Sequence, residues 1–166
     1  CGNTATCSYT INVSCETCAC GGGTASQNLV ANGNFAQGNI GFTSGLTWDN
    51  GTGCAAGRYG IYNNFNAFCG GWGPLAAFSA PNFLNIDGAD NGINTMTDLW
   101  ISNVVLTANT DYCFSFRWAS AYANADANFN IEIYIENGAV DEVLGTTQIV
   151  QNTIVWTQAS HNWNSG

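Results

Sequence analysis

The cysteine side chains are the first residues in this sequence whose type and spacing could support chemistry. Three of the eight lie in the stretch CETCAC, where Cys15, Cys18 and Cys20 form a CxxCxC pattern typical of metal ligands. A zinc site normally needs four nitrogen or sulfur ligands, often supplied as two such groups. The other cysteines are dispersed, and His161 is the single histidine. We therefore favour disulfides and keep metal ligation as the alternative.

An even number of cysteines is typical of a disulfide framework, and such frameworks are typical of oxidising compartments. Eight cysteines allow on the order of a hundred connectivities, so the sequence leaves most pairs undetermined. We predict two of them: Cys54 with Cys69 across an aromatic loop, and Cys1 with Cys7 across a Gly-Asn turn. The protein is therefore expected outside the cell or on its surface.

Groups that could perform catalysis are few. No G-x-S-x-G motif is present, and no Ser-His-Asp arrangement can be assembled around His161. Carboxylates such as Asp87, Asp90 and Asp98 could form a glycosidase pair only at a suitable spatial separation. In loops rich in Gly and Asn, acidic residues more often form turns. We expect that the protein is not an enzyme.

Sugar recognition is the better match, because it needs exposed aromatic faces for stacking and polar groups for hydroxyls. The loop WDNGTGCAAGRYGIYNNFNAFCGGWGP supplies both, and its candidate ligand-binding residues are Trp48, Arg58, Tyr59 and Trp72. The alternative is that these rings form a small core at one end of a sandwich, and for Tyr59 the two interpretations are equally favoured. Trp48 and Trp72 are the better candidates for exposure, because Asp, Gly and Pro flank them.

A second candidate ligand surface consists of Arg117, Glu132 and Tyr134. All three fall on the outward phase of two predicted strands that we expect to be adjacent, where they could line a concave face. The alternative is a cross-strand ion pair between Arg117 and Glu132, which stabilises a protein by about 0.2–1 kcal/mol. We favour the ion pair.

Alternating apolar and polar residues predict the strands that would position these groups. Residues 110–119 place four aromatic side chains on one face, and residues 129–136 place isoleucines on one face before an Asn-Gly turn. Many short strands with Gly and Asn turns predict an all-β jelly-roll sandwich. Shorter strands are predicted at 83–87, 99–106, 143–150 and 154–163, with one helical turn possible within 119–127.

The N-terminal segment is a separate amphipathic strand. From Ala5 to Cys15, apolar residues alternate with Thr, Ser and Asn, and no nearby stretch is typical of a hairpin partner. We assign residues 1–15 to this strand, 16–27 to a Cys/Gly-rich linker and 28–166 to the globular domain. The side chains on the apolar face of the strand are those of Cys7, Tyr9, Ile11 and Val13.

Charge excludes two classes of partner. The net charge is −9, and Arg58 and Arg117 are the only basic residues. Nucleic acid needs clustered cations, and so does an anionic lipid surface. No stretch is long enough for a membrane span, so we expect no direct membrane insertion.

Five stretches of the sequence form an ordered series: NLVANGNFAQGNIGFTSG (28–45), FLNIDGA (83–89), LWISNVVLTANTDYCFSFRWAS (99–120), FNIEIYIENG (129–138) and VWTQASHNWNSG (155–166). Taken in order, they resemble jelly-roll modules related to carbohydrate-binding modules in secreted and surface proteins of Bacteroidetes. The resemblance implies a non-catalytic domain that binds glycan or mediates attachment. Separately, CGNTATCSYTINV resembles the last strand of an immunoglobulin-like repeat of the HYR type, found in surface adhesins.

Two departures from that family pattern concern calcium and the last strand. Ala36 stands where the family usually has an acidic residue that helps to hold a structural calcium ion. The family also continues past the final tryptophan segment, whereas this chain stops at Gly166, so we expect a sandwich without its own final strand. No cofactor is expected; Asp87 and Asp90 remain a candidate calcium site because hard oxygen ligands are dense there.

These observations lead to one expectation and one alternative. We expect a non-catalytic extracellular adhesion module whose partner is a glycan. The alternative is a filament subunit, in which Ala5–Cys15 inserts into the incomplete sandwich of a neighbouring copy. Head-to-tail insertion of this kind builds an open filament. It is also possible that the chain is an excised piece of a larger adhesin.

Overall fold

A computed structural model of the chain describes residues 28–51, 53, 55–70, 75–79, 81–87, 98–120, 129–137, 140–149 and 155–166. It divides into two compact units, which we call the N-terminal unit (Leu29–Val104) and the C-terminal unit (Val105–Gly166). Several predictions lie outside the described residues. These are the strand Ala5–Cys15 with Cys7, Tyr9, Ile11 and Val13, the 16–27 linker, Cys1, Cys54, Trp72, Asp90 and most of the possible helical turn within 119–127.

The protein is all-β, as predicted. Strands form nearly all the regular structure among the described residues, and no helix there is long and apolar enough to cross a membrane. The one helix, α1, is a single turn at Phe65–Phe68. The strands are β1 (Thr47–Trp48), β2 (Arg58–Tyr62), β3 (Phe83–Asp87), β4 (Asp111–Trp118), β5 (Phe129–Asn137), β6 (Val140–Ile149) and β7 (Thr157–Asn164).

The predicted strand at 99–106 is wrong. Ile101 forms an isolated antiparallel bridge with Thr43, but the residues that follow it join no strand. The run of Ile, Val and Leu fits a pleated surface, which is why the pattern predicts a strand. A strand also needs a neighbour to receive its backbone hydrogen bonds, and intrinsic preference does not supply one. The other strands predicted within the described residues all appear, with ends shifted by a few residues at most.

In the N-terminal unit, β2 is the central strand of a three-stranded sheet. It pairs in parallel with β1 and antiparallel with β3. Because side chains alternate along a strand, Arg58, Gly60 and Tyr62 lie on one face, and Tyr59 and Ile61 lie on the other. We call these the helix face and the loop face.

Helix α1 covers the helix face. The Asn64 side chain accepts a hydrogen bond from the Asn66 backbone N–H at 2.9 Å, which satisfies one of the donors at the start of the turn. The ring of Phe68 then lies 5.9 Å from that of Tyr62, and Phe65 and Phe68 are both buried. Four residues are too few for a helical period to show, so the sequence pattern did not reveal this element.

The helix is followed by a fully buried cysteine. Cys69 is disulfide-bonded, so its predicted role in a disulfide is confirmed. Its partner lies outside the described residues, and the pairing with Cys54 stays a prediction. One contact favours that pairing: a Cβ placed on Gly53 would lie 3.7 Å from the Phe68 carbonyl oxygen. The chain just before Cys54 therefore runs beside the chain just before Cys69.

Two antiparallel strand pairs build the C-terminal unit. Strand β4 pairs with β7, and β5 forms a hairpin with β6. The phases predicted for β4 agree with its register. Tyr112 lies opposite Trp163, and the centroids of the two stacked rings are 5.9 Å apart. Phe114 lies opposite His161. The polar positions of β4, including Cys113, which carries a thiol, face the other way.

A β-bulge and a glycine bring the two pairs into contact. The register of β5 and β6 shifts between the pairs Ile133–Gly145 and Tyr134–Val143. Leu144 is therefore an extra residue on β6. The imidazole ring of His161 packs directly over Gly145, where any Cβ would overlap it. Thr147 lies on β6, as Gly145 does, and its Oγ1 is 3.1 Å from Nε2 of His161 on β7. The single histidine of the chain is thus a packing residue between β6 and β7.

We predict that Gly145→Ala destabilises the protein by about 1–3 kcal/mol, because the added methyl group forces the His161 ring out of its position. The matched control is Gly70→Ala, where a Cβ meets nothing within 4 Å; its expected change is within about 0.5 kcal/mol. Urea denaturation measures both. In the background of His161→Ala most of the Gly145→Ala penalty should vanish, and an undiminished penalty there would contradict this packing.

Candidate functional site

The three-stranded sheet separates the predicted ligand residues of the aromatic loop. Trp48 lies opposite Tyr59 in the parallel pair, so the two share the loop face. Arg58 is the next residue along β2 and therefore lies on the helix face. The structure brings Trp48 and Tyr59 together and does not place Arg58 on the same surface. Trp72 lies outside the described residues.

On the loop face, an exposed tryptophan rests on a buried tyrosine. The Trp48 side chain is 38% exposed, and Tyr59 is 7% exposed. Their ring centroids are 5.3 Å apart at 61°, an edge-to-face arrangement that aromatic pairs prefer. Phe42 also packs on Tyr59, with the two ring centroids 6.2 Å apart. Tyr59 is thus a supporting core ring, and Trp48 is the one that presents surface to solvent.

An asparagine lies at the polar end of Tyr59. The Tyr59 hydroxyl donates a hydrogen bond of 3.1 Å to Oδ1 of Asn39, which is exposed. The sequence pattern did not single out Asn39. Its only signal was its place in a Gly/Asn-rich stretch, which is typical of turns. Trp48 and Asn39 therefore border the same buried ring.

The loop that carries Asn39 is held by another asparagine. Asn32 adopts a left-handed backbone conformation, φ 51°. Its Nδ2 donates to the carbonyls of Gly38 at 2.9 Å and Ile40 at 2.7 Å, while its Oδ1 accepts from the Gln37 N–H at 3.0 Å. One side chain thus satisfies three backbone groups on both sides of Asn39, and the loop is fixed before any ligand arrives.

The helix face contains a fully buried carboxylate. Asp49 has no exposed surface, and its Oδ2 accepts a hydrogen bond of 2.8 Å from the Tyr62 hydroxyl. Its Oδ1 lies 3.8 Å from Nη1 of Arg58. A buried charge without such partners would be strongly destabilising. Arg58 thus contributes to the interior of the N-terminal unit, and this contact accounts for its position better than a ligand would.

The contact between Tyr62 and Asp49 depends on the small size of Gly60. A Cβ at Gly60 would overlap the ring of Tyr62, so the glycine allows that ring to lie flat against β2 and reach Asp49. Burial raises the pKa of Tyr62, and the hydrogen bond to Asp49 and the charge of Asp49 raise it further. Opposite Gly60, the fully buried Asn85 donates from Nδ2 to the Phe83 carbonyl at 2.9 Å, and its Oδ1 has no hydrogen-bond partner among the described residues.

The candidate calcium site is represented in the structure by Asp87 alone. Asp87 ends β3 opposite Arg58, and burial raises the pKa of its carboxyl group; Asp90 lies outside the described residues. Among the described side chains no group of three or more His, Cys, Asp or Glu residues could hold a metal ion. At Ala36, where the family pattern has an acid, the backbone N–H donates to Asn34 Oδ1 at 3.2 Å.

The second predicted ligand surface is divided between two sheets. Arg117 on β4 lies opposite Gln158 of β7, whereas Glu132 on β5 lies opposite Thr146 of β6. Tyr134 follows on β5, opposite Val143. The expectation that these two strands are neighbours is therefore wrong. Outward phase is a local property of each strand, but pairing is decided by residues far apart in the chain.

The fold and the site define an all-β protein in which an exposed tryptophan and an exposed asparagine border one buried tyrosine. Comparison of the chain with protein-family models, curated proteins and solved structures finds no match.

We predict that Tyr62→Phe lowers the free energy of unfolding at pH 7 by about 1–3 kcal/mol, because Asp49 loses its hydroxyl donor while staying buried. The variant should also change the alkaline limb of the stability profile. Since the folded pKa of Tyr62 is raised, its contribution is complete below the unfolded pKa of about 10 and is lost as pH rises through the folded pKa. Urea denaturation between pH 7 and 11 measures both effects.

The control is Tyr112→Phe, because the hydroxyl group of Tyr112 contacts exposed backbone at Thr107 instead of a buried charge. We expect this variant to lose less than Tyr62→Phe at pH 7. Equal losses in the two variants, with the same alkaline limb, would show that the buried hydrogen bond to Asp49 has no special weight.

Proposed function

We propose that this chain is a non-catalytic extracellular adhesion module of jelly-roll type that binds glycan on the loop face. The observation that carries the proposal is Trp48, a large aromatic side chain exposed to solvent and supported from below by Tyr59. The apolar face of a sugar ring stacks on such a surface, and the planar amide of Asn39 nearby suits its hydroxyl groups.

Other observations support the remaining parts of the proposal. Disulfides persist in oxidising compartments, and Cys69 is disulfide-bonded. His161, the single histidine, is engaged in packing with Gly145 and Thr147, which favours a structural role over general acid or base chemistry. The small antiparallel strand pairs are compatible with a jelly-roll sandwich, which is built from short strands of this kind.

The test is glycan binding by the whole chain, measured on a broad neutral-glycan array and by tryptophan fluorescence. We expect Trp48→Ala to weaken binding roughly ten-fold, because about 1–2 kcal/mol of stacking is lost. The control is Phe78→Ala, which removes another exposed aromatic side chain of the N-terminal unit and should leave binding unchanged. A wild-type chain that binds nothing on the array would contradict the proposal.

A second candidate function is a subunit of an extracellular filament, in which the strand Ala5–Cys15 is donated to a neighbouring copy. The observation that favours it is the largely apolar segment Asn103–Leu106. Within the described part of the chain this segment makes no backbone hydrogen bond, and Val105 is 92% exposed. An apolar segment with unpaired backbone groups could pair with an added strand.

For the filament, we predict that deletion of residues 1–14 abolishes assembly seen by electron microscopy. Val105→Lys should also abolish it, because a charged side chain blocks strand addition at an edge. The control is Val155→Lys, which places the same charge at another exposed valine, 66% exposed, and should assemble normally. Filaments that survive the deletion would eliminate this candidate.

A further inference from the structure

The side-chain amide of Asn39 is oriented by the tyrosine beneath it. Its Oδ1 accepts the hydroxyl proton of Tyr59, and within the described part of the chain its Nδ2 has no hydrogen-bond partner. The oxygen of this amide already accepts one hydrogen bond, whereas both N–H groups of its Nδ2 are left as donors. Asn39 borders the same buried ring as Trp48, and a ligand that matches these donors has to supply an acceptor.

The charge of the chain selects among acceptors. Carboxylates and sulfates accept strongly, but the net charge of −9 opposes their approach. One of the two basic residues, Arg58, is directed at Asp49 on the other face of the sheet, so it does not offset this repulsion at the loop face. A neutral acceptor remains, and an amide carbonyl is stronger and more specific than a hydroxyl group, which is also a donor.

The residue that follows Asn39 in the chain has an exposed apolar side chain. Ile40 follows Asn39 directly and is 54% exposed. The backbone on both sides of Asn39 is fixed by Asn32, so these two consecutive residues are held in place without a loss of loop freedom on binding. An acetamido group fits this combination, since its carbonyl accepts from Nδ2 and its methyl group contacts an aliphatic surface.

We propose that Asn39 is a specificity-determining residue of the Trp48 site and selects neutral 2-acetamido sugars. The sugar ring stacks on Trp48, the acetamido carbonyl accepts from Asn39 Nδ2, and the methyl group contacts Ile40. This inference rests on the proposed glycan-binding function and adds the class of ligand. No pattern in the sequence indicated it, because it depends on the hydrogen bond between Tyr59 and Asn39, which lie twenty residues apart.

The experiment compares two trisaccharides that differ only in the group at carbon 2: N,N′,N″-triacetylchitotriose and cellotriose. Titration calorimetry with the full chain should show that the acetylated sugar binds about ten-fold more tightly, the effect of one well-placed hydrogen bond. Asn39→Asp keeps the shape and the acceptor for Tyr59 but replaces the donor by an oxygen. We expect this variant to lose the ten-fold preference, so that it binds the two sugars with equal affinity.

Tyr59→Phe is the second variant, because it keeps the ring beneath Trp48 and removes the hydroxyl that orients Asn39. It should reduce the preference for the acetylated sugar several-fold, and it decides the question if Asn39→Asp does not fold. Equal wild-type affinities for the two sugars, or an unchanged preference in the folded variants, would overturn the inference while leaving glycan binding intact. Failure of the wild type to bind either trisaccharide or any arrayed glycan would instead overturn the proposed function.

Discussion

Burial of the Asp49 carboxylate is the constraint on which the rest of the N-terminal unit depends. A charge removed from water has to be matched by a hydrogen-bond donor or an opposite charge. Here Tyr62 donates the hydrogen bond and Arg58 supplies the positive charge, both from the same face of β2. The tyrosine reaches the carboxylate only because residue 60 is a glycine. Once Asp49 is fixed on the helix face, alternation directs Trp48, its neighbour in the chain, to the loop face. The proposed recognition surface and the buried ion contact are therefore two sides of one short strand.

The sequence predicted the strands more reliably than their arrangement. Alternation of aromatic and polar residues in β4, and of isoleucines in β5, is a local signal, and both strands appear with the predicted phases. Pairing is different, because it joins β4 to β7 across some forty residues and no local pattern encodes that choice. At 99–106 the same kind of pattern predicted a strand wrongly, since backbone pairing ends after Ile101.

The candidate site could be predicted only in part for a related reason. The polar and small neighbours of Trp48 indicated an exposed ring, and its exposure agrees with that. Grouping Arg58 with it overlooked that Arg58 and Tyr59 are consecutive in a strand and must face opposite ways. Asn39 could not be found at all, because its significance comes from a tertiary hydrogen bond and from Asn32, which fixes the surrounding backbone. Long-range contacts of this kind produce no recognisable spacing of residues in the sequence.

The packing of the His161 ring over Gly145 limits how the strand pairs of the C-terminal unit can slide past each other. The imidazole of His161 occupies a gap one residue wide, and the next residue of β6 on the same face, Thr147, has a side chain. Translation of β6 along β7 that brings Thr147 to the position of Gly145 would drive its side chain beneath the ring. Shear is therefore blocked sterically at one point, independently of hydrogen bonding. Under tension along the chain, the two pairs would resist sliding until the imidazole leaves its recess.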